Sequence, residues 1–110
     1  MRLMAMTVAL CLGLAASAAA QDAKVAKGQQ LFADQKCTLC HSIAGKGNAK
    51  GPLDGVASKL TNDEIRSWIT DAKGMTAKTN AERKPPMKAY ALAKDDVDAL
   101  VAYLSTLKKK

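Results

Sequence analysis

The chain has 110 residues, of which 48% are hydrophobic and 25% charged, and its formal net charge is +7. That balance fits one small globular domain, leaves no room for a second, and excludes a disordered or fibrous chain. The basic residues are scattered rather than clustered on a recognition element, which argues against a nucleic-acid partner.

The first twenty residues differ from the rest. Arg2 gives a short basic start, Leu3 to Leu14 is nearly uncharged and mostly apolar, and "AASAAAQD" offers small residues suited to cleavage. Residues 1–20 are therefore expected to be a cleavable export signal, and residues 21–110 one soluble, monomeric domain in the periplasm. The apolar part is short for a membrane span, which takes roughly 20 residues. Cys11 lies within it behind Leu10, where a lipoprotein signal favours a small side chain, so Cys11 is expected to leave with the signal.

A first helix is predicted over Ala23 to Gln35, with Val25, Leu31 and Phe32 available for packing. Gly28 costs this helix about 1 kcal/mol relative to alanine, a cost that close approach of another helix would justify. Directly after it comes "CTLCH", which places Cys37, Cys40 and His41 within five residues. A thioredoxin-like pair belongs at a strand-to-helix junction, whereas these cysteines follow a helix, and a plain disulfide leaves the histidine unexplained. Structural zinc normally takes four ligands, and no second half-site exists among the other residues of 21–110. Cys-x-x-Cys-His is the attachment signal of a c-type haem: two thiols link one edge of the porphyrin, and the next residue sets its imidazole beneath the iron.

After the motif, "SIAGKGNAKGPLDGV" is glycine-rich and contains Pro52, so an irregular loop is expected. Such a loop can offer a backbone carbonyl to the second nitrogen of His41, although the sequence does not choose which one. A second helix is predicted over Asn62 to Ala72, opened by a Thr61/Glu64 capping box and carrying Ile65, Trp68 and Ile69 along one face. A third is predicted over Asp95 to Leu107, with Val97, Leu100, Val101 and Leu104 at helical spacing.

His41 is the only histidine, so a bis-histidine site within one chain is excluded by counting. The sixth iron ligand is then methionine, lysine or an uncommon group, or the position is open. Met75 follows Gly74 and reads as a loop or gap-filling residue. Met87 stands behind Pro85 and Pro86, which stiffen the loop that presents it, and is the preferred distal ligand. With His41 committed to iron, no evident general base is left for hydrolysis.

The blocks "KGQQLFADQKCTLCHSI", "KGPLDGV" and "KPPMKAYALAKDDVDALVAYLSTL" together resemble the small bacterial class I cytochromes c, over nearly all of residues 21–110. The resemblance implies a compact all-α fold of three or more helices around one covalent haem c. It implies Gly28 and Phe32 as helix-packing positions, Pro52 as the residue whose carbonyl holds His41, Met87 as distal ligand, and Tyr103 with Leu100 as an apolar contact of the last helix. It further implies a one-electron carrier rather than an enzyme, working between redox proteins such as an oxidase, reductase or dehydrogenase with an acidic docking surface. The alternative is a haem enzyme or small-molecule sensor with a labile distal ligand. Ala93 departs from the pattern, because related sequences often carry a hydroxyl near the start of the last helix.

Overall fold

A computed structural model describes residues 2–109, with side chains from residue 18 onward. Cys11 and the apolar run Leu3 to Leu14 therefore lie outside the described side chains. Helix α1 spans Arg2–Asp34, so the helix predicted from Ala23 is the later part of a longer element. Neither proline nor glycine lies between Leu14 and Lys27, and alanine-rich sequence has high helix propensity, so nothing local ends the helix between them. Among the described residues no helix is long and apolar enough to cross a membrane. After Asp34, Lys36 takes a left-handed conformation at φ 58° and stops α1 just before the first motif cysteine.

The rest is mostly helical: a short antiparallel ribbon, β1 Ser42–Ile43 and β2 Lys46–Gly47, then α2 Val56–Lys59, α3 Asn62–Thr70, α4 Ala72–Thr79 and α5 Lys94–Leu104. The Thr61/Glu64 capping box forms, with Glu64 N–H donating to Thr61 Oγ1 at 3.2 Å and Thr61 N–H to Glu64 Oε1 at 3.0 Å. Ile65 and Ile69 are buried as the periodicity requires, while Trp68 is half-buried beside them. The second predicted helix ends two residues early, because Asp71 leaves helical geometry and its carboxylate accepts Gly74 N–H at 3.3 Å, capping α4. Met75, read as a loop or gap-filling residue, is helical and buried rather than in a loop. The last helix stops short of Leu107: Ser105 Oγ and Thr106 Oγ1 donate back to the Ala102 and Tyr103 carbonyls, at 2.8 and 2.6 Å, where further helical turns would otherwise bond.

The core forms where α5 lies across α1 and α3. Val97, Leu100, Val101 and Leu104 of α5 pack with Phe32, Ile65 and Ile69, each such aliphatic side chain contributing about 1.5–3 kcal/mol when fully buried. Gly28 sits at the crossing of α1 and α5. A β-carbon there would strike the Ala99 carbonyl oxygen and come within 2.6 Å of Tyr103 Cβ. One turn later, Phe32 meets the Tyr103 ring edge to face, centroids 6.1 Å apart. Around the rim, Lys27 pairs with Asp96 at 3.0 Å, and Asp98 holds both Arg66 at 2.7 Å and Lys94 at 3.0 Å.

Three outcomes follow from this frame. Gly28→Ala is expected to lower stability by about 1–3 kcal/mol in urea unfolding, despite alanine's better helix propensity, because the added methyl has no space at the crossing. Ala93, the N-cap of α5, offers no side-chain bond, so Ala93→Ser is expected to raise stability by about 1 kcal/mol in the same assay. Lys94 and Arg66 hold the Asp98 carboxyl below its ordinary range. Its contribution is present above the unfolded-state value and is lost as pH falls through the folded one; Asp98→Asn is expected to flatten the acid limb of a stability–pH curve.

Candidate functional site

Immediately after the left-handed Lys36, Cys37–Leu39 forms a single 3-10 turn. In that geometry residues three apart eclipse one another, which is why two thiols separated by two residues stand on the same side of the chain. The Cys37 carbonyl accepts both Cys40 N–H at 3.2 Å and His41 N–H at 3.0 Å, so the histidine leaves the turn directly behind the second cysteine. Cys40 is exposed and Cys37 half-buried, both as free thiols. Burial pushes the Cys37 thiol upward. Leu39, between them, is 70% exposed, an unusual position for a large aliphatic side chain.

Asn48 staples this turn from the other end of the ribbon. Its side-chain amide donates to the Leu39 carbonyl at 3.1 Å, its backbone N–H is shared between the Thr38 and His41 carbonyls at 3.1 Å each, and its side-chain oxygen accepts Lys50 N–H at 2.9 Å. The chain then returns beside the motif. Ser42 N–H donates to Gly51 O at 3.0 Å, and Leu53 N–H to Ser42 O at 2.8 Å, a parallel bridge centred on Pro52. In such a bridge the central residue's own N–H points away from the partner, so proline is accommodated without loss.

The same Gly51 carbonyl lies 3.1 Å from His41 Nδ1. The expected acceptor was Pro52; the observed one is the residue before it, because the Pro52 carbonyl faces away from the bridge while Gly51 O faces both Ser42 and the imidazole. Burial lowers the proton affinity of His41, and the nearby Arg83 charge lowers it further. The bond to Gly51 opposes both; with Nδ1–H donated to that carbonyl, the Nε2 side of the ring is the one left for a metal.

Met87 is half-buried in the irregular segment between α4 and α5. Residues on either side of it meet the motif. Arg83 packs its guanidinium on Gly51, and the Tyr90 side chain lies beside the Cys37 thiol, with the Lys88 charge also close to it. Tyr90 N–H is tied to Ile69 O at 2.9 Å, fixing the segment to the end of α3, and Lys88 Nζ lies 5.2 Å from the Tyr90 ring centre. Met75, by contrast, is buried within α4. Beyond Pro52 a largely apolar groove of about 380 Å³ continues between Gly55, Val56, Leu60 and Trp68.

Sequence reading placed the Cys37, Cys40, His41 and Met87 segments but missed Gly51, Asn48, Arg83 and Tyr90. The signals were slight: a glycine directly before proline, and one aromatic ring three residues beyond Met87. Taken together, two thiols in one turn and an imidazole oriented by a backbone carbonyl, with its other nitrogen left over, fit a flat, largely apolar macrocycle tethered by its edge. No group of three or more His, Cys, Asp or Glu side chains suited to a bare metal ion occurs among the described residues.

Comparison with known proteins agrees with this chemistry. Over 92 residues the chain is 30% identical to a cytochrome c oxidase subunit 2 from Alkalihalophilus pseudofirmus, an alignment that takes in 74% of this chain and 25% of that protein. The chain thus corresponds to about a quarter of that relative's length. No solved structure matches it. The family pattern described as cytochrome c matches residues 25–108, from within α1 to beyond α5, and the chain belongs to the cytochrome c family.

Proposed function

We propose that the chain is a one-electron carrier holding one haem c through Cys37 and Cys40, with His41 and Met87 as its axial ligands. The observation that carries this reading is the single turn that holds both cysteines and delivers His41, already oriented by Gly51, with Arg83 of the Met87-bearing segment packed on that same glycine. When bound, such a haem supplies a ferric–ferrous couple that accepts and returns one electron.

The residues divide the remaining work. Cys37 and Cys40 fix the edge of the ring, Gly51 keeps the His41 Nδ1 proton in place, and Asn48 holds the turn rigid. Tyr90, whose backbone N–H donates to Ile69 O, anchors the segment that carries Met87. A methionine sulfur favours reduced iron relative to a second imidazole, which sets the couple toward positive potential. Two protein ligands leave no open coordination position for oxygen or peroxide, in keeping with a carrier rather than an enzyme.

Residues 1–20 serve as an export signal in this reading, and the domain works in the periplasm as a soluble monomer. Its partners are redox proteins with acidic docking surfaces, to which the net positive charge steers it. The likeness to part of an oxidase subunit favours an oxidase among them.

Redox-titrated optical spectroscopy of the holoprotein tests the assignment. The expected result is one reversible one-electron transition with a methionine-dependent ferric charge-transfer band, lost in Met87→Ala and kept in Met75→Ala. Loss of the band in Met75→Ala alone overturns the ligand assignment, and a wild-type protein with an open sixth position points instead to a haem enzyme or sensor.

A further inference from the structure

Arg83 stands four residues before Met87, yet its guanidinium lies on the opposite strand of the site. A β-carbon built on Gly51 would collide with Arg83 Nη1 and sit 3.0 Å from Arg83 Cζ. The Cys40 carbonyl oxygen also stands where that β-carbon would go, so the backbone here demands glycine, and Gly51 serves two ends at once: its carbonyl faces His41 Nδ1 at 3.1 Å, and its Cα face receives the arginine. Among the described residues, ion pairs tie Lys27, Arg66 and Lys94 to carboxylates, and Arg83 takes part in none of them.

We propose that Arg83 is a positioning residue that raises the reduction potential of the site by holding a positive charge against Gly51, the residue that orients His41. This rests on the carrier reading above. When a redox-partner protein gives one electron to the ferric site, the site's charge falls by one, and a fixed positive charge nearby favours the less positive, reduced state. Half-burial of the imidazole strengthens that interaction relative to one across bulk water. Because Arg83 is itself exposed, the effect is screened as salt is added.

The experiment is a redox titration of the holoprotein at low and high ionic strength for wild type, Arg83→Gln, Arg83→Lys and Lys73→Gln. Arg83→Gln is expected to shift the midpoint to lower potential at low salt, with a smaller shift at high salt. Arg83→Lys is expected to restore most of it, and Lys73→Gln, which removes an exposed charge from α4, to leave it near wild type. A merely structural arginine would change unfolding without moving the midpoint. An unchanged midpoint in Arg83→Gln overturns the inference, as does an equal fall in Lys73→Gln, while the carrier reading stands in both cases. A wild-type protein without a one-electron couple overturns the carrier reading itself, and this inference with it.

Discussion

The Gly51 carbonyl is the point on which the site turns. It accepts the Ser42 N–H that pins the returning loop beside the motif, and it faces the His41 imidazole that the loop must orient. A carbonyl has two lone pairs and can serve both partners, so one atom couples the path of the backbone to the tautomer of the ring. Moving that atom changes where the loop runs and which nitrogen is left for iron. The absence of a side chain at Gly51 then allows the segment carrying Met87 to close against the same residue through Arg83.

The helices exist to hold this node still. Gly28 lets α5 approach α1 at backbone distance, and the Phe32–Tyr103 contact fills the next turn. Since α1 ends two residues before Cys37, the crossing fixes the direction in which the motif leaves the core. The end of α3 fixes the other side, where Ile69 O receives Tyr90 N–H. Both halves of the site are thereby referred to the same packed cluster of α1, α3 and α5.

Much of this was legible before the structure. The periodicity of Val97, Leu100, Val101 and Leu104, the Thr61/Glu64 box and the isolated glycine at position 28 each report a local physical demand, and each was met. Elements ruled by competing local bonds were not legible. The break at Asp71 depends on its carboxylate turning back to Gly74, and the early stop of α5 depends on two hydroxyls choosing the carbonyls behind them. Neither choice leaves a periodic trace. The shift from Pro52 to Gly51 has the same origin: the chain marks the turn with proline, while the register of the bridge decides which neighbouring carbonyl faces inward. Contacts between distant segments, such as Arg83 on Gly51 or Tyr90 at Cys37, carry no spacing signal at all.

In the proposed carrier, His41 and Met87 occupy opposite faces of one haem. Proton NMR of the reduced, diamagnetic holoprotein tests it most directly, because a methyl group held over a porphyrin face is shifted far upfield by the ring current. A single upfield three-proton signal assigned to the Met87 side chain, with His41 ring protons shifted in the same way, is the predicted result. A Met87 methyl signal at its ordinary position would contradict the account.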